Sequence, residues 1–167
     1  MSVEPILCCR GLKLVRGRSA ILHDIDLEVL PGQVIGLIGR NGAGKSSLLE
    51  SLLGFHRLAA GSVELWGSDV RSLGLQQKQR IAFVAQRDEL LEGLTGSQQI
   101  RLISSFYTDW DDELRRRLVA SWELPVERPI RSYSLGQRQR LAIVRDLALR
   151  QQLLVLDDPV ASLDPLA

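Results

Sequence analysis

The sequence GRNGAGKS, residues 39–46, is the most informative segment of this 167-residue chain for predicting its fold. It follows the apolar run VIGLI, residues 34–38, and precedes SSLLESLLG, residues 46–54, whose leucines have the spacing of a helix. The glycines let backbone N–H groups turn inward around a phosphate chain, and the N-terminus of the next helix adds partial positive charge there. A glycine-rich turn without a ligand is the alternative, but the complete motif between a strand and a helix favours a phosphate-binding loop.

The side chains of this loop predict a site for a triphosphate and Mg²⁺. Lys45 supplies a mobile charge for the β- and γ-phosphates, and Ser46 offers a hydroxyl to Mg²⁺, which bridges the same oxygens. The residues expected to bind the nucleotide are Gly39, Asn41, Gly42, Ala43, Gly44, Lys45, Ser46 and Ser47.

A pair of carboxylates, Asp157 and Asp158, follows the apolar run LLVL at residues 153–156. Ligands in open α/β sheets collect outside the carboxyl ends of strands, so we expect these acids to lie beside the phosphate-binding loop. Asp157 is predicted to hold Mg²⁺, directly or through water, and Asp158 to polarise an attacking water. Without the loop, two solvated aspartates at a strand end would be the simpler interpretation.

The pattern of the rest of the chain predicts an open, mainly parallel sheet with an antiparallel portion near the N-terminus. Apolar residues alternate with acids over residues 24–29, as in a strand with one buried face, whereas VIGLI and LLVL are apolar on both sides, as in strands covered on both faces. GSVELWG, residues 61–67, and IAFVA, residues 81–85, are further strand candidates.

Helical signals dominate the second half. Thr108 and Asp111 form a capping-box pattern ahead of an apolar face with a spacing of four, made of Leu114, Leu118 and Trp122. A last helix is predicted over residues 135–150.

Composition excludes several classes of protein. The 21 basic and 20 acidic residues nearly cancel, so no overall field favours nucleic acid or an anionic membrane surface. No apolar stretch approaches the roughly 18 residues that a membrane crossing needs, and the adjacent Cys8 and Cys9 suit neither a metal site nor a disulfide framework. The sequence therefore predicts a soluble, cytosolic protein.

Further motifs stand in order along the chain. Gln86 closes FVAQ, YSLGQRQR occupies residues 133–140, and ASLDP occupies residues 161–165 after LLVLDDP. With GRNGAGKS, these motifs resemble those of the ATP-binding subunit of ABC transporters, over essentially the whole chain. In that family they are the Walker A loop, the Q-loop glutamine, the signature motif, the Walker B strand and the D-loop.

The resemblance implies the α/β P-loop NTPase (RecA-like) fold, with ATP and Mg²⁺ as cofactors. It implies an ATP-binding core at residues 1–92 and 133–167 and a helical subdomain at 93–132. Two subunits, identical or different, would hold two ATP molecules head to tail, each facing the partner's Ser134, Gly136 and Gln137. Gln86 would join Mg²⁺ and the attacking water to the helical subdomain, which in this family touches a membrane permease. The protein is then expected on the cytoplasmic face of the membrane.

The chain departs from the family pattern at several positions. Asp158 stands where Glu is usual, and a carboxylate one methylene shorter predicts slow hydrolysis. Leu135 replaces a glycine of the signature motif. Arg16 stands where an aromatic residue commonly stacks on adenine; its guanidinium can stack on the base or be solvated, and both remain open. Neither His23 nor His56 matches the family's switch histidine, so the chain is expected to be a domain cut short after the D-loop.

The leading hypothesis is a subunit that couples binding and hydrolysis of MgATP to a separate permease. A second is an ATP-dependent dimerisation switch with negligible turnover, favoured by Asp158. A third is an ABC-type ATPase that acts on nucleic acid or the ribosome, with ELRRRL, residues 113–118, as its contact. The near-neutral charge argues against the third, so no nucleic-acid partner is expected.

Overall fold

The computed structural model describes residues 3–86, 90–107 and 109–159. The chain divides into two compact units, Met1–Leu75 and Gln76–Ala167. The strands are β1 Leu7–Arg16, β2 Ser19–Val29, β3 Ala60–Leu65, β4 Ser68–Asp69, β5 Ile81–Val84 and β6 Leu153–Leu156. The helices are α1 Lys45–Leu52, α2 Leu75–Lys78, α3 Gly96–Ser104, α4 Asp112–Ser121 and α5 Leu135–Ala148, with short 3₁₀ turns at Val70–Ser72 and Ile130–Ser132. These helices, together with the antiparallel and parallel strands, confirm the α/β fold class.

The first unit is built on an antiparallel sheet with the strand order β2-β1-β3-β4. β1 pairs with β2 from Leu7 opposite Val29 to Arg16 opposite Ser19, and the predicted alternation of exposed acids and partly buried apolar residues holds in β2. Gly61 lets β3 approach β1 closely, because a Cβ there would overlap the carbonyl oxygen of Gly11. The antiparallel N-terminal portion predicted from the sequence is confirmed.

The prediction of a buried strand at VIGLI, residues 34–38, is wrong for this structure. These residues have no regular secondary structure, and the side chains of Val34 and Ile38 are 98% and 100% exposed. An apolar run forms a strand only when another strand pairs with it, and no strand of the described residues pairs with this run.

The second unit contains a parallel pair of strands and the longest helix. β5 pairs with β6 from Ile81 beside Leu153 to Val84 beside Leu156. Both strands were predicted, but β6 is half-buried rather than covered on both faces, because β5 is its one partner among the described strands. α5 packs on β5 through a small cluster of Val84, Ala142 and Ile143, and it confirms the helix predicted over residues 135–150.

The helices of the second unit begin at polar caps. Asp111 is the N-cap of α4 and accepts a hydrogen bond from the backbone N–H of Leu114 at 2.9 Å. It therefore precedes the helix, whereas the capping-box pattern predicts it inside the first turn, three residues after the cap. Thr108, the other member of that predicted box, lies outside the described residues. A capping box that the sequence analysis missed, Thr95 with Gln98, starts α3.

Along the chain, the boundary between the compact units falls between Leu75 and Gln76, whereas the sequence predicts boundaries at residues 92 and 133. The division into an ATP-binding core and a helical subdomain stays a prediction. Across the described ranges, no helix has both the length and the apolar character that a bilayer crossing requires.

Candidate functional site

The phosphate-binding loop depends on glycines with left-handed backbone. Gly42 has φ +81° and Gly44 has φ +92°, a region that other residues adopt at a cost of about 1–2 kcal/mol. A Cβ on Gly44 would also lie 3.1 Å from Leu22 Cδ2 and 3.4 Å from the carbonyl oxygen of Ile21 on β2. The loop therefore needs glycine at position 44 for both its conformation and its contact with the sheet.

The ammonium group of Lys45 is folded back onto this loop. Its Nζ donates to the carbonyl oxygen of Gly39 at 2.8 Å and to that of Arg40 at 3.1 Å. The loop backbone is closed by a hydrogen bond from the N–H of Ala43 to Arg40 at 3.1 Å. A phosphate bound here would share the ammonium with those carbonyl oxygens or draw it away from them.

The first turn of α1 suits an anion. Gly44 is its N-cap, and within the described residues no side chain supplies a capping hydrogen bond. The first backbone N–H groups of a helix have no partner inside the helix, and the helix dipole places partial positive charge there. Ser46 and Ser47 lie half-buried in this turn. The residues present therefore fit the phosphates of a nucleotide.

Arg16 is neither freely solvated nor isolated. Its Nη2 lies 2.8 Å from His56 Nε2 and 3.5 Å from Glu50 Oε2, while His56 Nε2 lies 2.6 Å from the same Glu50 oxygen. The guanidinium at the end of β1 is thus held against the second half of α1 and the residues that follow it. The roles of Glu50 and His56 are not predictable from the sequence, because no local pattern indicates a contact such as that between Arg16 and His56, 40 positions apart.

The second unit brings three predicted site residues to one edge of its parallel strand pair. Asp157 follows β6, is 5% exposed, and donates its backbone N–H to the carbonyl oxygen of Val84 at 2.9 Å. Gln86 follows β5, and its Nε2 donates to Asp158 Oδ2 at 3.3 Å. The carboxyl ends of parallel strands are where α/β sheets bind ligands.

Asp158 has a left-handed backbone, with φ +51°. Aspartate is one of the few residues other than glycine that visits this region readily. The turn after β6 thus separates two acids with different surroundings, a buried Asp157 and an exposed Asp158.

Each unit contains an oxygen donor of the kind that Mg²⁺ takes as a ligand. Within residues 3–86, 90–107 and 109–159, no group of three or more His, Cys, Asp or Glu side chains could hold a metal by itself. Mg²⁺ usually keeps several waters and is held by one or two carboxylates together with the phosphates of its nucleotide. The buried carboxylate of Asp157 in the second unit and the hydroxyl of Ser46 in the first unit are each an oxygen donor of that kind.

The predicted signature motif lies at the start of α5, where a complete capping box is formed. Ser134 Oγ accepts from the backbone N–H of Gln137 at 3.2 Å, and Gln137 Oε1 accepts from the N–H of Ser134 at 3.0 Å. Because the hydroxyl oxygen accepts in this box, its hydrogen can still be donated to an acceptor such as phosphate. Leu135, which replaces a glycine of the family motif, is 75% exposed.

Known proteins resemble this chain over most of its length. The chain matches the ABC transporter family over residues 22–161. It is 32% identical over 97% of its length to the uncharacterized ABC transporter ATP-binding protein YdbJ of Bacillus subtilis (strain 168), and it covers 53% of that protein. It is 36% identical over 97% of its length to the lipoprotein-releasing system ATP-binding protein LolD 2 of Caulobacter vibrioides, and it covers 77% of that protein.

A solved structure of an ATP-binding subunit of an ABC transporter matches with a TM-score of 0.83 and 27% sequence identity, over 97% of this chain and 70% of that one. The chain spans about half the length of several curated relatives, including a Nod factor export ATP-binding protein I of which it covers 52%.

Proposed function

We propose, from the premise that this chain belongs to the ABC transporter family of ATP-binding proteins, that it binds MgATP at residues 39–46, hydrolyses it slowly and drives a separate membrane permease. The observation that carries the proposal is the first turn of α1, which follows two left-handed glycines and has no side-chain cap among the described residues. Names of relatives that refer to export and lipoprotein release support a membrane partner, and with it a place on the cytoplasmic face of a membrane.

In this proposal the first unit holds the triphosphate. The backbone N–H groups at the start of α1 donate to phosphate oxygens, and Lys45 leaves its loop carbonyls to contact the β- and γ-phosphates. Ser46 and Asp157 would hold Mg²⁺, which when bound neutralises charge on the phosphate oxygens. Arg16, held by Glu50 and His56, is the candidate contact for the base.

The second unit supplies the groups that act on water and on a second nucleotide. Asp158 is proposed to accept a hydrogen bond from the attacking water, and Gln86, already bonded to Asp158, to orient that water. Ser134, Gly136 and Gln137 are proposed to face the γ-phosphate of ATP on a second ATP-binding subunit. Loss of that phosphate would remove these contacts and let the subunits separate.

The rate of phosphate release in excess MgATP tests the hydrolysis step. Asp158→Glu lengthens the side chain by one methylene and should accelerate turnover, since a misplacement of about 1 Å can cost on the order of a hundredfold in rate. The affinity for a fluorescent ATP analogue should not change. An unchanged or lower rate in Asp158→Glu, with binding intact, would count against the chain-length argument.

A second candidate function is an ATP-dependent dimerisation switch with negligible turnover. It is favoured by the hydrogen bond from Gln86 Nε2 to Asp158 Oδ2, because an oxygen that already accepts is less available to water. The same assay separates the two candidates. Saturable ATP binding without phosphate release above background, in wild type and Asp158→Glu alike, would favour the switch.

A further inference from the structure

Tyr133 lies directly before Ser134 and is buried, although it belongs to a loop. Its side chain is 6% exposed and packs in a cluster with Leu90, Ile100, Ile130 and Leu141. Its hydroxyl donates to the carbonyl oxygen of Pro125 at 2.8 Å. Burial raises the pKa of this hydroxyl, so it remains a protonated donor across the neutral range.

Tyr133 packs against Gly96, the first residue of α3, where only a glycine leaves room for its hydroxyl. A Cβ on Gly96 would lie 2.5 Å from the Tyr133 hydroxyl and 3.1 Å from Val126 Cα. Any side chain at residue 96 would therefore push on the ring or on the neighbouring backbone. Gly96 and Tyr133 are therefore in close steric contact, although they lie 37 positions apart in sequence.

Backbone hydrogen bonds fasten the same two segments together. The N–H of Ile130 donates to the carbonyl oxygen of Leu94 at 2.9 Å, and the N–H of Arg131 donates to that of Glu92 at 3.2 Å. Glu92 also pairs with Arg138 of α5 at 2.9 Å. Residues 92–97 thus contact and position the segment that precedes α5, residues 130–133.

From these contacts we infer that Tyr133 is a positioning residue for Ser134: its hydroxyl bond to Pro125 and its fit against Gly96 fix where the first turn of α5 lies. The capping box cannot do this, because Ser134 and Gln137 move together with the helix that they cap. The inference rests on the proposed function, in which this turn meets the phosphate of a second subunit's ATP. Tyr133 touches no reacting atom and acts through Ser134.

The first test removes the hydroxyl alone. Tyr133→Phe should raise the ATP concentration needed for half-maximal dimerisation by about five- to tenfold, the effect of losing one partly buried hydrogen bond. The affinity of the isolated subunit for a fluorescent ATP analogue should not change. Tyr107→Phe, at the chain's other tyrosine, is the matched control and should leave both quantities at wild-type values. Equal dimerisation midpoints for the two variants would overturn the inference.

The second test adds a methyl group on the other side of the contact. Gly96→Ala should shift the dimerisation midpoint more in the wild-type background than in Tyr133→Phe, where the atom it would strike is absent. Strictly additive effects would contradict a direct fit between the two residues.

Hydrogen exchange separates the failure of this inference from the failure of the proposed function. If wild type binds ATP but does not dimerise, the proposed function fails without any variant. In that case the backbone amides of residues 135–138 still decide the role of Tyr133. Faster exchange there in Tyr133→Phe, with the rest of α5 unchanged, supports the inference; exchange equal to Tyr107→Phe overturns it.

Discussion

The first turns of α1 and α5 are both proposed to face phosphate, yet they are built in opposite ways. α1 starts at Gly44, with no capping side chain among the described residues, whereas α5 starts at Ser134 with a reciprocal capping box. The first backbone N–H groups of a helix lack acceptors inside the helix. At an uncapped start an anion can accept from them, whereas at a capped start a side chain of the same protein already accepts from one of them. The comparison indicates that α1 gains most from a ligand and that α5 is formed before any ligand arrives.

This contrast separates two ways of building a phosphate contact. The loop before α1 contains glycines, which have no side chain and so let backbone N–H groups approach a ligand closely. The start of α5 has a serine whose oxygen caps the helix and whose hydrogen can still be donated. In the proposed function, the first way supplies affinity for the nucleotide, and the second adds a contact from a helix that is already capped.

Among variants at the starts of these helices, the largest effect is expected from adding a side chain at the uncapped start of α1. Gly44→Ala would place a methyl group at φ +92°, 3.1 Å from Leu22 Cδ2. The strain of at least about 1–2 kcal/mol predicts a loss of ATP affinity of roughly tenfold or more, measured by titration with a fluorescent analogue. Gly93→Ala is the control, since a Cβ there meets nothing within 4 Å. Wild-type affinity in Gly44→Ala would show that this conformation is not needed for binding.

A smaller effect is expected from removing the side-chain cap of α5. Ser134→Ala removes the cap of α5 and should destabilise the protein by about 1 kcal/mol, or about 2–4 °C in Tm for a chain of this size. It should leave the affinity of the isolated subunit for ATP unchanged and weaken ATP-dependent dimerisation. Ser105→Ala, whose hydroxyl donates to the carbonyl oxygen of Leu102 at the end of α3, is the control. A fall in monomer affinity equal to that of Gly44→Ala would remove the distinction between the two turns.

The smallest effect is expected at Asp111, the charged N-cap of α4. The backbone N–H of Leu114 and the guanidinium of Arg150 hold the pKa of Asp111 below its ordinary value of 3.8. A lowered pKa means that the stabilisation is complete above the unfolded value and is lost as pH falls through the folded value. Asp111→Ala should therefore lower Tm at pH 7, with the difference from wild type narrowing below about pH 4.

The exposed Asp109 provides the control for this series, as Asp109→Ala should melt near wild type at every pH. A difference between Asp111→Ala and wild type that stays constant down to pH 2 would contradict the assigned cause.

Local signals carried most of what the sequence predicted correctly. The alternating residues of β2, the leucine spacing of α1 and the apolar face of α5 each predict their element within about a dozen residues. The hydrogen bond between Gln86 and Asp158 is a finding of the structure that the sequence did not predict, and it arises because the carboxyl ends of parallel strands lie at one edge.

The failures at VIGLI, Arg16 and Tyr133 share a physical cause, which is dependence on a distant partner, whereas the failure at Asp111 is local. VIGLI was predicted as a strand from its composition, but pairing is a property of two segments and not of one. The contact of Arg16 with His56 and the fit of Tyr133 against Gly96 join residues far apart in sequence, with no periodic pattern to report them. Asp111 was misplaced by one turn, because several acids and hydroxyls near a helix start can all serve as its cap.

The central claim is that residues 39–46 hold the triphosphate of MgATP, with Lys45 on its phosphates. Titration of wild type, Lys45→Met and Lys78→Met with a fluorescent ATP analogue and Mg²⁺ tests it most directly, since Lys78 is an exposed lysine on α2. Wild type should bind the analogue saturably, and Lys78→Met should bind it equally well. Lys45→Met should bind it about 10- to 100-fold more weakly, because charge-assisted hydrogen bonds to the phosphates are lost. Equal binding by all three proteins, or no saturable binding by folded wild type, would contradict it.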